Sequence, residues 1–552
     1  MPTFRIDDRE LTVPEGTTVL QAALANGVEI PHYCYHPGLS IAGNCRICLV
    51  EIEKFPKPAI ACNTVVSEGM VVHADGPGAA KLRRRVMEYL LANHPLDCPI
   101  CDQAGECKLQ DYAYRFGQPT TRFVEEKEHG PKRRELGPHV VFDWERCIKC
   151  TRCIRFCEEV PKTGELAMLL RGVREEIGVF PGKPLDNPYS GNVVDLCPVG
   201  ALTLREFRFR SRVWFLTDVP SVCPGCARGC STRLGTFRNE IFRVTPRANH
   251  AVNRWWICDE GRLWGDRLQA AEGRRLDGPR VVPPAAAPGA DQWETALDAA
   301  AEALRAAAGR VRVLADPRAS LEETWALALV AKTLGAPVHL ASHEDGADDE
   351  LLIRADRAPN ARGAGLVLDA LAGGARPVAE LEAALAAGEV AALLALGPGL
   401  VGPVEDEPPS LEPDALARAA ARIVIDAHPS ALSGAATALL PATSYGEFDG
   451  AYVNFAGRVQ HSAAALAPKT DCRPAAATLL DLAARLGANA PVPDALREAL
   501  SRDVPALAAI DWLDLPAGEG EDVAGADSAS RACPATGAAT ALLAAGVPPV
   551  GR

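Results

Sequence analysis

Sixteen of the chain's eighteen cysteines lie before residue 260, gathered into four tight groups. Thiols set this close commit their loops to a shared ligand or to disulfides. The amino terminus, MPTFRIDDRELTVPEG, shows neither a basic n-region nor an apolar h-region. The expectation is therefore a cytoplasmic chain with reduced thiols, for which metal is the better reading. No later stretch offers the roughly 18 uninterrupted apolar residues of a membrane span, so membrane contact is expected only through partners. The formal net charge of -13 argues against nucleic acid, because a phosphate-binding surface gathers Lys and Arg. The one dense basic run, KLRRR from Lys81 to Arg85, reads as a solvated or interface helix face.

At 552 residues the chain is longer than a single core supports, so several domains are expected. After CDEGRLWGDRL, the segment GRRLDGPRVVPPAAAPGA reads as a linker, and the chain beyond it is rich in Ala and poor in Cys. The expected divisions are 1–78, 79–137, 138–215, 216–272, 273–512 and a flexible tail over 513–552, where Cys533 is a lone thiol.

The first division opens with TFRI, a DD turn and RELTV, then TTVLQAALANG, where Thr17 or Thr18 caps a helix burying Val19, Leu20, Ala23 and Leu24. LVEIE and MVVHA add strands, which suits a small β-grasp ferredoxin. Cys34, Cys45, Cys48 and Cys62 follow C-x10-C-x2-C-x13-C, a variant of the plant-type C-x4-C-x2-C run, so a 2Fe-2S cluster is expected. A structural zinc ion also takes four thiolates.

Next, AAKLRRRVMEYLLANHP places Leu82, Val86, Met87, Leu90 and Leu91 on one helical face, and Pro95 stops the helix. His94 then stands at the helix end, ahead of Cys98, Cys101 and Cys107, giving four ligands within fourteen residues. The set suits a 4Fe-4S cluster in which a neutral imidazole replaces one thiolate and makes the site less negative. Zinc accepts the same donors.

The third group, CIKCTRCIRFC, holds Cys147, Cys150, Cys153 and Cys157, and CPVGAL brings Cys197 much later. In two-cluster bacterial ferredoxins each run reads C-x2-C-x2-C-x3-C-P, and its last Cys serves the other cluster. Counting back from Cys197, the other three positions of the second run are Val193, Ser190 and Asn187. One 4Fe-4S cluster is thus expected, on Cys147, Cys150, Cys153 and Cys197, with Cys157 as a relic. The fourth group, Cys223, Cys226, Cys230 and Cys258, spaced C-x2-C-x3-C-x27-C, fits a third 4Fe-4S cluster heading a molybdopterin-type domain, and fits a zinc ribbon as well.

In this order the four groups resemble the iron–sulfur G subunit of bacterial NADH:quinone oxidoreductase, respiratory complex I. YCYHPGLSIAGNCRICLVEIE, HPLDCPICDQAGECKLQD, CIKCTRCIRFC and DLCPVGAL all look like that family's motifs. The resemblance implies that the first three clusters relay electrons from a flavin-bearing, NADH-oxidising partner toward a second ferredoxin-like subunit and finally quinone. It implies a protein peripheral on the cytoplasmic side of the cell membrane that meets the membrane arm only indirectly. The fourth cluster occurs in some members only, off the main path, and Cys157 departs from the usual family residue.

The second half resembles the family's degenerate molybdopterin-oxidoreductase domain in ATALLPATSYGEFDGAYVNFAGRVQ and DQWETALDAAAEAL. Independently, RVRVLAD, TWALALVAKTLG and PVHLAS alternate strand, helix and strand, and AALLALG and ARIVIDA add strands, so a parallel α/β sheet is expected. GPGLVG, with Gly397, Gly399 and Gly402, matches the dinucleotide fingerprint, but PVEDEPPS comes next and denies it the helix that would hold a pyrophosphate. No cysteine lies between Cys258 and Cys472 to ligate molybdenum, and no molybdenum cofactor is expected. Two other classes remain. The catalytic subunit of an NAD-linked molybdenum formate dehydrogenase shares the N-terminal clusters but typically has a much longer molybdenum domain; a structural zinc scaffold would be colourless. An iron-only hydrogenase shares the first clusters, yet its later cysteine motifs find no match. The reading is an electron-relay subunit with no substrate chemistry of its own.

Overall fold

The computed structural model of the chain describes residues 1–270, 274–282, 291–403, 411–515 and 520–523. Contacts divide the described residues into two units, Met1–Leu216 with Arg254–Asp259, and Thr217–Asn253 with the described residues from Glu260 to 523.

The first unit begins with a five-stranded sheet in the order Arg9–Thr12, Thr3–Ile6, Val71–His73, Leu49–Ile52, Ala59–Ile60. Thr3–Ile6 runs antiparallel to its hairpin partner and parallel to Val71–His73. The helix Val19–Ala25 starts at Thr18, whose hydroxyl accepts from the Gln21 amide while the Gln21 side chain accepts from the Thr18 amide, a reciprocal cap that satisfies two N-terminal donors. Val19, Leu20 and Ala23 join Phe4, Ile6, Val50 and Val72 in one core.

Of the face that the apolar pattern predicts on the helix Pro77–Asn93, only Met87 is fully buried. The helix's buried positions include Ala79, Arg83, Met87 and Glu88, whereas Leu82, Val86, Leu90 and Leu91 are half-buried. The KLRRR run is correspondingly mixed: Arg84 and Arg85 are exposed, but Arg83 is only 1 % exposed. Its guanidinium donates to the carbonyls of Leu49 and Ala74 and to Asp75. Burial is tolerated because the main-chain oxygens at the strand ends accept its hydrogens.

The next sheet orders Leu202–Leu204, Val140–Phe142 and Arg134–Glu135. Against it stand the helices Arg152–Glu159 and Asn192–Leu196 and a hairpin of Leu166–Leu169 with Glu176–Val179.

The second unit begins with an antiparallel sheet of Thr217–Val222, Ser231–Phe237 and Glu240–Pro246. Its main layer is a seven-stranded sheet in the order Arg280–Val281, Ala438–Pro441, Ala421–Asp426, Ala392–Leu396, Val311–Ala315, Val338–Leu340, Ala375–Pro377, parallel except at the first strand. The strands and the helix expected from the apolar runs are present, and the helix Leu321–Leu334 is capped by Ser320 with Glu323. It is buried on most sides, as a helix apolar all round must be.

The tail expected to be flexible from residue 513 is structured at its start. Glu521–Asp522 pairs with Arg458–Val459, Arg458 and Asp522 form an ion pair of 3.3 Å, and Glu521 accepts the Asp511 amide. Residues 524–552, with Cys533, lie outside the described residues.

Candidate metal centres

The first cysteine group is gathered by the loop between the helix Val19–Ala25 and the strand Leu49–Ile52, with Cys62 returning on the short helical turn Ala61–Asn63. The turn NCRIC closes with Arg46 at φ +56, a left-handed conformation that a loop retains when its surroundings demand it. Cys45 and Cys62 act on Cys34, and Cys48 on Cys62, so the four cysteines are neighbours. Cys45 and then Cys62 beside it hold the Cys34 thiol far below its ordinary range.

Cys147, Cys150, Cys153 and Cys197 line one small pocket together with apolar residues such as Phe142 and Leu202. Within CIKCTRC, Lys149 and Thr151 both have positive φ, +54 and +62. The Lys149 amide donates to Cys147 Sγ at 3.4 Å. Burial raises all four thiols, Cys197 to about 11. Left alone they would stay protonated; a bound metal reverses this, since thiolate is the ligand form. Four sulfurs around an apolar cavity are the donor set of a cubane cluster.

Cys157 is not among the residues lining that cavity. It is fully buried on the same helix as Cys153, with burial and then nearby Glu165 pushing its thiol up to about 12. The three positions that would complete a second cluster are otherwise engaged. Asn187 Nδ2 donates to Glu165 Oε1 at 3.0 Å, Ser190 Oγ donates to Asp259 Oδ2 at 2.6 Å, and Val193 is fully buried in the core.

The second group follows the helix Pro77–Asn93. Lys127 Nζ donates to the carbonyls of Leu91 and Ala92, both at 2.7 Å, which satisfies the helix end, and His94 is its C-cap. Burial and then Arg146 lower the His94 imidazole to about 4, so at neutral pH it is uncharged and has a nitrogen lone pair to offer. Cys101 and Cys107 are buried and Cys98 is exposed. Burial raises Cys101 and takes Cys107 to about 12, with Cys98 acting on Cys101 and Cys101 on Cys107. The three thiols are neighbours; the groups acting on the imidazole are Arg146, Lys127, Asp97 and Lys132.

The groups are also neighbours of one another. Cys34 of the first acts on Cys150 of the third, and Cys197 of the third on Cys107 of the second. The Lys108 amide, one residue after Cys107, donates to the carbonyl of Pro198, one residue after Cys197, at 3.1 Å. Two residues on, a Cβ at Gly200 would lie 2.3 Å from Cys101 Sγ, so the CPVG turn touches the second group only because this residue has no side chain. The third group therefore adjoins both of the others.

In the second unit, Cys223, Cys226 and Cys230 are buried in the hairpin joining Thr217–Val222 to Ser231–Phe237, which the Cys223 amide closes on the Cys230 carbonyl at 2.8 Å. Cys258 is buried beside Asp259 in the first unit. The GPGLVG run leads from the strand Ala392–Leu396 into a short turn, Pro398–Leu400. A Cβ at Gly397 would meet Asp426 Oδ2 at 1.9 Å, and one at Gly399 the His428 carbonyl oxygen at 2.9 Å. These glycines admit the protein's own Asp426 and His428; most of PVEDEPPS, 404–410, lies outside the described residues. Among the described residues no three His, Cys, Asp or Glu side chains are gathered as a site for a single ion, whereas a cluster spreads its four protein ligands over two irons when binuclear and over four in a cubane. Reading spacing alone misses Arg152, Arg155, Glu165 and Gly200, which stand inside or beside the motifs without being ligand types.

Family models match in the same order: a 2Fe-2S iron-sulfur cluster binding domain over residues 1–77, an NADH-ubiquinone oxidoreductase-G iron-sulfur binding region over 83–122, and the ferredoxin-like domain of NADH-quinone oxidoreductase subunit 3 over 137–203. A molybdopterin oxidoreductase Fe4S4 domain matches over 216–270 and a molybdopterin oxidoreductase model over 372–485. The chain thus has one 2Fe-2S domain and three regions of the 4Fe-4S type. Curated relatives include the G subunit of NADH-quinone oxidoreductase from Rickettsia bellii, 42% identical over 61% of this chain and 49% of the relative, and that from Streptomyces coelicolor, 40% identical over 60% and 39%. The mitochondrial NADH dehydrogenase [ubiquinone] iron-sulfur protein 1 of Solanum tuberosum is 46% identical over 54% of this chain and 40% of its own length. The matches span about half or less of each relative's length.

Proposed function

We propose that this chain, similar through its cluster-binding half to the G subunit of NADH-quinone oxidoreductase, is the electron-relay subunit of an NADH:quinone oxidoreductase. Its ligands are Cys34, Cys45, Cys48 and Cys62 for a 2Fe-2S cluster, and His94, Cys98, Cys101 and Cys107 for a 4Fe-4S cluster. Cys147, Cys150, Cys153 and Cys197 hold a second 4Fe-4S cluster, and Cys223, Cys226, Cys230 and Cys258 a third. When bound, the clusters supply one-electron carriers whose potentials the protein tunes. The chain's own residues fix their order, enclose them and bridge them. No acid or base is needed.

One observation carries the reading: the third group adjoins both the others, one through Cys34 and Cys150 and the other through the Lys108 to Pro198 hydrogen bond. This supports a path from the first group through the third to the second. A flavin-bearing NADH-oxidising subunit feeds it, and a second ferredoxin-like subunit takes electrons onward to quinone. No described helix is long and apolar enough to cross a membrane; the place proposed is peripheral, on the cytoplasmic face. The test is iron, sulfide and paramagnetic resonance analysis of the full chain purified without oxygen. One binuclear and three cubane clusters are expected. Zinc at two or more sites rejects the relay, and stoichiometric molybdenum with formate-dependent dye reduction transfers the chain to the formate dehydrogenases.

A further inference from the structure

The helix that carries Cys153 also carries two arginines that no carboxylate answers among the described residues. Arg152 and Arg155 are both buried. Arg152 Nη1 donates to the Leu196 carbonyl at 3.1 Å and Nη2 to the Tyr35 carbonyl. Arg155 Nη1 donates to the Ser40 carbonyl, Nη2 to the Cys34 carbonyl at 2.5 Å, and Nε to Thr151 Oγ1 at 3.3 Å. Arg152 Nε has no partner among the described residues. The acceptors sit at the ligands: Cys34 belongs to the first group, Tyr35 follows it, and Leu196 precedes Cys197 of the third.

A guanidinium stays charged at any pH a protein tolerates. Burying one without a counter-charge costs several kcal/mol, and here two lie near each other. Main-chain carbonyls satisfy hydrogen bonds but cancel no charge. The pair stands among the cysteines of the first and third sites: Arg152 lines the same pocket as Cys147, Cys150, Cys153 and Cys197, and Arg155 donates to the Cys34 carbonyl. A cluster held by four thiolates is a net anion, and each electron it accepts makes it one unit more negative.

We propose that Arg152 and Arg155 are the shared counter-ions of the clusters held by the first and third groups, and that they raise both reduction potentials. Reduction adds one electron and makes or breaks no bond, so the effect is electrostatic: fixed positive charge beside two sites favours the reduced state of each. The inference rests on the ligand reading of those two groups.

The experiment is potentiometric titration of the full-length holoprotein, followed by paramagnetic resonance, with iron and sulfide counted in each variant. In Arg152→Met the reduced-to-oxidised ratio of both clusters at a fixed potential should fall about tenfold, which is about 59 mV for one electron. The cubane of the His94 group should move less, and Arg152→Lys should restore most of the shift. Intact clusters with unchanged potentials in Arg152→Met overturn the proposal and leave the arginine as a clamp on the main chain. If the wild-type chain lacks the two signals, the ligand reading has failed instead. Should Arg152→Met lose a cluster, Arg155→Met is judged by the same ratio: a fall supports the proposal and no change overturns it.

Discussion

Cys153 and Cys157 lie one turn apart on the same helix, and their surroundings separate their roles. Cys153 lines the cavity with Cys147, Cys150 and Cys197. Cys157 meets Glu165, whose carboxylate also takes the Asn187 amide. Two of the positions that the two-cluster template would need, Asn187 and Ser190, are held by hydrogen bonds to Glu165 and Asp259. Cys157→Ser should therefore leave every cluster signal near wild type and cost about 1 kcal/mol of stability, within the usual range for a small buried change. Cys153→Ser removes a thiolate from the cubane, so its resonance signal should vanish or shift and electron flow to quinone should collapse. The reverse outcome would mean that Cys157 is the ligand. Spacing alone makes this division legible, because the template's ligand positions fall on Asn187, Ser190 and Val193. It does not reveal Glu165, which becomes a partner only when the chain folds.

At the scale of elements, the turn Cys197–Gly200 joins two sites. Cys197 belongs to one group while Gly200 rests on Cys101 of another, and a methyl group at Gly200 would come 2.3 Å from that sulfur. A ligand sulfur has no freedom to move aside while holding iron. Gly200→Ala should thus perturb or lose the cubane of the His94 group first, with the binuclear signal of the Cys34 group unchanged; an unaltered cubane spectrum and potential in this variant would show that the turn can yield. The elements themselves are largely legible in the sequence. The hairpin TFRI with RELTV, a cap at Thr17 or Thr18, which the structure resolves to Thr18, the stop ahead of Pro95 and the alternating parallel strands all follow from local pattern and capping chemistry. Pattern misses orientation. On Pro77–Asn93 the apolar residues predict a face of Leu82, Val86, Met87, Leu90 and Leu91, yet of these only Met87 is buried, and Arg83 is buried with it. The carbonyls of Leu49 and Ala74 that accept from Arg83 belong to other segments, so no periodicity within the helix announces them.

For the whole molecule the decisive question is whether the chain draws electrons from NADH unaided. The one dinucleotide-like run, GPGLVG, is spent on packing: Gly397 and Gly399 make room for Asp426 and the His428 main chain, and Pro398–Leu400 is a short turn with no long helix behind it among the described residues to offer amides to a pyrophosphate. Burial raises the Asp426 carboxyl to about 7, so the space beside these glycines holds an acidic group that would repel phosphate once ionised. The cysteine groups are arranged as carriers, and carriers need a donor that converts a two-electron hydride into single electrons, which is flavin chemistry. The pure, flavin-free chain mixed with NADH should therefore keep its visible cluster absorption, while dithionite bleaches it. Adding the flavin-bearing subunit should make NADH bleach it too. If NADH reduces the clusters of the rigorously flavin-free chain, a nucleotide site exists within it and the relay assignment must give way to an enzyme.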